Sequence, residues 1–516
     1  MKHLSGVDSA FLHLESPEMP MHIGSLNVLD LPEGYSGDFF EDTKAYVQQR
    51  MHLAEVFTRK LALMPLDLSN PVWVEDEDID LDYHIRHVTL PKPGSNRQLQ
   101  QYVARLHSSL LDRSRPLWEF FVIDGLKSGQ VALYSKLHHA GIDGQAGVAV
   151  GQAIFDLAAT GRVIKPPRPS ARRNQYQLGI AELLGAALSN TLNQSASLVK
   201  SLPLIAKTAK DSLLPEKDVN GKRDWSLPKG IRVFAPRTSL NVAITNQRTF
   251  AGRTVPLAEV KLIAKALGVS LNDVVMATTA GALRNYFKEH GELPAKPLYA
   301  AVPVSLRSEG DTTSNNQVSM VTMSLATDIK DPLARLRKIH ELSANTKAKV
   351  SRFKAAIPTD FPLPAAPWLM SAVASLFSRS RLANVLPPLA NLVISNVAGI
   401  PVQLYFAGAK VVSYYPVSIP AHSMALNVTV QSYNGRLDYG LIACRRALPD
   451  VNDLADGLLA EHRILLDLAK AQTPALAPSA LVELAPPSKR KAATQAAPTK
   501  PKRTPAKRVK RQAAVS

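Results

Sequence analysis

From Val131 to His138 the side chains alternate: Val131, Leu133, Ser135 and Leu137 fall on one side, Ala132, Tyr134, Lys136 and His138 on the other. A period of two in a β-rich run predicts a strand. "PLWEFFVIDGL" ahead of it is a second such run, and the "KSG" between them reads as a hairpin turn. Behind it, "GQAGVAVGQAIFDLAA" changes to helical spacing, so the strand ends in a strand-to-helix turn. Upstream, "HIGSLNVLDL" predicts a strand, and "GDFFEDTKAYVQQRMHLA" and "LQQYVARLHSSLLD" predict amphipathic helices. Farther along, "LAEVKLIAKALGVSLNDVVMATTAGALRNYFKEHG" holds two helices, with Gly291 as a C-terminal stop. "PLYAAVPVSLR" and "NLVISNV" read as buried strands. "LNVTVQSYNGRLDYGLIACR" reads as a hairpin about Asn434-Gly435, the strongest short turn signal in the chain.

Punctuation divides these runs. The prolines and charges of "KPPRPSARRNQ" mark a boundary. Beyond it Ile180, Leu184, Ala187, Leu188, Leu192 and Leu198 recur at helical intervals within 178–202. The opposite face is Ser/Asn/Gln rather than lysine, which favours a helix docked across two domains over one lying on a membrane. The expected organisation is a mixed α/β domain over 1–162, a helical linker over 163–235, a second over 236–470, and a tail over 471–516. With 516 residues the chain is too long for one ordinary core. No stretch reaches 18 uninterrupted apolar residues, so no transmembrane helix is expected. The acidic residues of "MKHLSGVDSAFLHLESPEMP" do not suit a secretory signal.

Charge changes the picture only at the end. The net charge is +18, and residues 485–516 hold ten Lys/Arg, five prolines and no Asp/Glu, leaving +8 for the rest. Such a segment has too little apolar surface to offset its ordering entropy and is expected to be disordered. A solubilising role ranks first, attraction to anionic lipid second and nucleic acid third. No aromatic side chain interleaves the basic ones, so nucleic acid is not an expected partner. The single cysteine, Cys444, excludes a disulfide framework and a cysteine-based zinc site and suits a reducing cytosol.

The chemistry concentrates at "YSKLHHAGIDGQAGV". His138 and His139 end the predicted strand, and Asp143 and Gly144 follow within the turn. A neutral imidazole is the side chain best suited to accept a proton near pH 7, provided its tautomer and orientation are fixed. Ala140 and Gly141 leave space over the ring, and Gly144 shapes the turn. A metal site would need a third ligand, and adjacent histidines do not easily bind one ion, so none is expected. A serine triad would need a nucleophile elbow such as G-x-S-x-G, which the chain lacks.

The pattern H-H-x-x-x-D-G resembles the signature of the coenzyme A-dependent acyltransferase superfamily, which includes chloramphenicol acetyltransferase and peptide-synthetase condensation domains. "LSGVDSAFLHLESPEMPMHIGSL", "RPLWE", "SLNDVVMA", "VPVSLR" and "LVISNVAGIP" narrow the resemblance to the bacterial wax ester synthase/diacylglycerol acyltransferase family, over about residues 1–469. The resemblance implies an α+β fold: two chloramphenicol-acetyltransferase-like domains, each a mixed sheet backed by helices, joined by a helical linker. It implies an active site in a tunnel at their interface. The reaction would move a fatty acyl group from acyl-CoA to diacylglycerol, a long-chain fatty alcohol, or both. Acyl-CoA is then a substrate, and neither a cofactor nor a metal is expected. A cytoplasmic enzyme is implied, with peripheral contact to the membrane or to neutral-lipid inclusions.

Within that resemblance His139 is the general base and no acyl-enzyme forms. His138 is either a hydrogen-bonded structural residue or a direct participant. Asp143 would brace the turn against an arginine, Arg59 first and Arg307 second. Pro116, Leu117 and Trp118 would begin a strand beside the catalytic one, with core packing favoured over substrate contact. Asn272 and Asp273 would cap a helix or help close the tunnel. Ser395 and Asn396 are candidates for stabilising the oxyanion or touching the pantetheine arm. Cys444 reads as buried filler. The alternatives are acyl transfer to an amine or small alcohol, as in condensation enzymes, and a silent protein coating lipid inclusions.

Overall fold

Among the described residues two six-stranded sheets stand beside a small three-stranded one, and the two large sheets are not divided simply by halves of the sequence. The computed structural model describes residues 2–4, 6–62, 71–142, 144–166, 234–305, 318–354 and 382–472. Asp143, Arg307, the expected helix at 178–202 and the basic tail lie outside these residues.

The N-terminal half supplies α1 (Gly6–Leu14), β1 (His22–Asp30), α2 (Phe39–Arg50), β2 (Ile85–Thr89), α3 (Asn96–His107), β3 (Trp118–Asp124), β4 (Val131–His138) and α4 (Gly144–Ile154). Helices α2 and α3 start where side chains can satisfy exposed N–H groups. Asp38 caps α2, and Ser95 with Gln98 forms a capping box on α3. The C-terminal half supplies β5 (Arg248–Pro256), α5 (Leu257–Leu267), α6 (Leu271–Glu289), β6 (Tyr299–Ser305), β7 (Val318–Ser324), α7 (Pro332–Lys354), β8 (Leu392–Val397), β9 (Tyr405–Phe406), β10 (Ala409–Val417), β11 (Leu426–Tyr433), β12 (Arg436–Cys444) and α8 (Val451–Gln472). Asn434 and Gly435, both at positive φ, turn the β11–β12 hairpin as expected.

The first sheet runs β9-β10-β1-β4-β3-β2 and the second β7-β6-β8-β11-β12-β5. Both are mixed: β2–β3 pair in parallel in the first, as do β8–β6 and β8–β11 in the second. β9 and β10 come from the C-terminal half but complete the N-terminal sheet, with Tyr415 opposite Leu26 of β1. Two glycines admit this crossover. Gly252 of β5 and Gly440 of β12 face each other in register. A methyl group at Gly440 would overlap the Pro416 carbonyl, and one at Gly252 would sit 2.8 Å from the Tyr415 ring. The Tyr414 amide then donates to Asp438 of β12 at 2.7 Å.

One apolar core lies under α5, α6 and α8 on the second sheet. On the first sheet, Phe39, Val47, Phe57, Trp118, Phe120, Leu133 and Phe406 form another. A third joins the sheets across α3: Leu99 and Val103 pack with Phe121, Tyr134, Phe250 and Ile442. β4 is therefore covered on both faces, and all eight of its residues are buried. Its polar members have partners: Ser135 Oγ lies 2.8 Å from Ser25 Oγ, and Lys136 pairs with Glu119 at 2.6 Å. Among the described residues no helix is long and apolar enough to cross a membrane.

Candidate active site

β4 delivers the histidines as its alternation predicts. His138 is its last residue, and His139–Gly141 form one 3₁₀ turn before α4 begins at Gly144. The turn is pinned from three sides. The His138 amide donates to the Leu117 carbonyl at 3.0 Å. The His139 amide donates to the Met21 carbonyl at 2.9 Å. The His138 ring accepts the Ala140 amide on Nδ1 at 3.1 Å. Ala140 packs into a cluster with Leu4, Leu12, Leu61, Leu111 and Leu117.

The two rings have different surroundings. His138 is fully buried, and its Nε2 lies 3.3 Å from Glu15 Oε1. Glu15 also accepts the Met21 amide at 2.9 Å and pairs with Arg113 at 2.8 Å. Burial alone would raise this carboxyl, but His138, the Met21 amide and Arg113 outweigh it and hold it at about 2. His139 is only partly buried. Its ring stacks on Phe11 of α1, with centroids 4.0 Å apart and planes 10° from parallel. Nδ1 is sealed from solvent with no partner on another residue, which leaves Nε2 as the open nitrogen. Burial lowers the ring to about 4, against the effect of its own main-chain carbonyl, so it is neutral at pH 7.

A polar network lies behind the pair. His22 of β1 stands opposite His138 in register. Its Nε2 is 2.8 Å from the His107 carbonyl. His107 lies between the Tyr134 hydroxyl at 2.7 Å and the Ser418 carbonyl at 2.8 Å, which ties the N-terminal sheet to the segment after β10. Burial holds His22 well below the usual imidazole range and His107 down at about 3. Lys136 reaches the Ser109 carbonyl just past α3 at 3.2 Å.

The other candidates sort differently. Leu117 and Trp118 are fully buried; the Trp118 indole donates to the Phe57 carbonyl at 3.1 Å and stacks on His84. Pro116 directly precedes them, and β3 begins at Trp118. Asn272 is not the cap of α6. Ser270 is, and Asp273 completes a capping box by accepting the Ser270 amide at 2.9 Å. Asp273 also pairs with His340 at 2.7 Å, which ties α6 to α7. Ser395 is half-buried and Asn396 exposed at the end of β8; no hydrogen bond among the described residues links them to the histidines. Arg59 pairs with Glu55 and Glu75. Cys444 is buried beside Thr245. No group of three or more potential metal ligands occurs among the described residues. The residues that sequence patterns leave unmarked are Phe11, Glu15 and His107. Only the spacing of Phe11 and Glu15, one turn apart, carried a signal, and the histidines they meet are more than a hundred positions away.

The family model described as the wax ester synthase/diacylglycerol acyltransferase catalytic domain matches residues 4–275, and that of the family's C-terminal domain matches 314–465. The chain belongs to the wax ester synthase/diacylglycerol acyltransferase family. A putative diacylglycerol O-acyltransferase of Mycobacterium tuberculosis is 37% identical over 451 residues, 87% of this chain and 96% of that protein. The O-acyltransferase WSD of Acinetobacter baylyi is 33% identical over 473 residues, 90% of this chain and 97% of that protein. The solved wax ester synthase/diacylglycerol acyltransferase of Marinobacter aquaeolei superposes with a TM-score of 0.65 at 32% identity, covering 91% of this chain and all of that one. The first condensation domain of the calcium-dependent antibiotic synthetase shares the fold, with a TM-score of 0.52 at 14% identity over 91% of this chain and 96% of its own. The expected α+β fold of two acyltransferase-like domains therefore stands.

Proposed function

We propose that the chain transfers a fatty acyl group from acyl-CoA to the hydroxyl of diacylglycerol or a long-chain alcohol, with His139 Nε2 as the base. Family membership supports the reaction class. One observation supports the residue: a neutral imidazole at the end of β4 whose open nitrogen is Nε2. Nε2 takes the proton of the acceptor hydroxyl as its oxygen attacks the thioester carbonyl. The C–S bond breaks, and the departing thiolate takes that proton back from Nε2. The thioester is already activated, so one base and correct positioning suffice, with no acyl-enzyme and no cofactor. His138 then serves the turn rather than the substrate, since its ring is fully buried, with Nδ1 accepting the Ala140 amide and Nε2 facing Glu15 at 3.3 Å.

The second substrate lies in lipid, so the enzyme meets it peripherally, at a cytoplasmic membrane surface or a neutral-lipid inclusion. The test is thin-layer analysis of the products from palmitoyl-CoA offered together with diacylglycerol and hexadecanol. Triacylglycerol, wax ester or both is the expected result. No ester from either acceptor, with a condensation product from an amine instead, would overturn the reading.

A further inference from the structure

A general base works only if something holds its ring in the productive plane. In many enzymes a carboxylate does this through a hydrogen bond to the second ring nitrogen. Among the described residues none does so for His139: its Nδ1 has no partner on another residue. What the ring does have is a flat aromatic neighbour, Phe11, at 4.0 Å and 10°. Phe11 is itself held firmly. It packs against the cluster of Leu4, Leu12, Leu61, Leu111, Leu117 and Ala140 on one side. It also packs against Met19, Met21, Ile244, Ala425 and Cys444, a cluster drawn largely from the C-terminal half. The helix that carries Phe11 is anchored one turn later, where Glu15 meets His138 and Arg113, and Arg113 also donates to the Leu12 carbonyl at 2.7 Å.

We infer that Phe11 is a positioning residue for the proton-transfer step, its ring face fixing the plane of His139 so that Nε2 points at the acceptor hydroxyl. Helix α1 and the residue that follows it thus meet both histidines, Phe11 stacking on the ring of His139 and Glu15 standing 3.3 Å from that of His138. The flat face matters here as well as apolar bulk. A leucine in the same place fills much of the volume but leaves the imidazole free to tilt. A ring displaced by about 1 Å from a productive geometry loses about a hundredfold in rate. The inference rests on His139 being the base.

The test compares wild type, Phe11→Leu, Phe11→Tyr and His139→Ala, with kcat and KM for palmitoyl-CoA and hexadecanol measured separately, alongside a thermal melt of each. In Phe11→Leu, kcat is expected to fall about ten- to a hundredfold while both KM values stay within about twofold. In Phe11→Tyr, which keeps the flat face, kcat is expected to recover to within about threefold of wild type. If Phe11→Leu keeps wild-type kcat while His139→Ala is inactive, the inference fails and the base assignment survives. If His139→Ala keeps wild-type kcat, the base assignment itself fails. If Phe11→Leu and Phe11→Tyr lose kcat equally, or the loss follows a matching loss of folded protein, Phe11 is a packing residue and the inference is wrong.

Discussion

Glu15→Gln isolates the charge buried behind the histidine pair. Its carboxyl falls from an ordinary 4.5 to about 2 in the folded protein. At about 1.4 kcal/mol per unit, the folded state favours the carboxylate by about 3 kcal/mol at neutral pH. Glutamine keeps the shape and can still accept the Met21 amide, so the expected loss is about 2–3 kcal/mol, at or below the low end of the roughly 3–5 kcal/mol for breaking a buried pair. The sign is fixed by the depressed value. The contribution is complete above about pH 4.5 and disappears as pH falls through about 2. Urea denaturation of wild type and Glu15→Gln at several values from neutral to acid pH measures the gap directly. His22 and His107 titrate in both proteins and cancel. The gap should be widest at neutral pH and should close as the medium approaches the folded-state value. A gap that is constant with pH, or absent at pH 7, would refute the argument that the charge of Glu15 stabilises the turn.

Three further outcomes follow from the same structure. His107 is held neutral at about 3, so below its unfolded value of 6.5 the unfolded chain takes up a proton that the folded one refuses; the wild-type melting temperature should drop on acidification below that point, and His107→Gln should flatten the drop. The neutral ring of His139 is the reactive form and protonates only near 4; short assays should show kcat/KM level from about pH 8 to about 5.5 and falling only as pH nears that value. Gly440→Val places its side chain on the Pro416 carbonyl and pushes β10 off the second sheet; a stability loss of about 1–3 kcal/mol or more is expected in thermal melts.

Most of the elements were legible in the sequence because their signals are local. The β11–β12 turn was written in Asn434-Gly435, and both residues do adopt positive φ. The alternation in Val131–His138 placed the histidine pair at the end of a strand, before a strand-to-helix turn; the structure puts His138 last in the strand and His139 in the turn beyond it. Both faces of that strand are buried, and its polar members are accommodated because Lys136 finds Glu119 and Ser135 finds Ser25. Of the two residues expected to cap α6, Asp273 takes part and Asn272 does not: Ser270 is the N-cap and stands three positions ahead of Asp273, the spacing of a capping box. What local pattern could not show was contact between distant segments. Nothing near Ala409–Val417 says that this strand pairs with β1 rather than with its own neighbours. Phe11 and Glu15 looked like part of an N-terminal run until the fold laid α1 and the residue after it against the histidines.

The central claim is tested most directly by His139→Ala, assayed by coenzyme A release together with ester formation from palmitoyl-CoA and hexadecanol or diacylglycerol, on protein whose melting temperature matches wild type. The account predicts a loss of about 10²–10⁴ in kcat. Ester output close to wild type from the folded variant would contradict it.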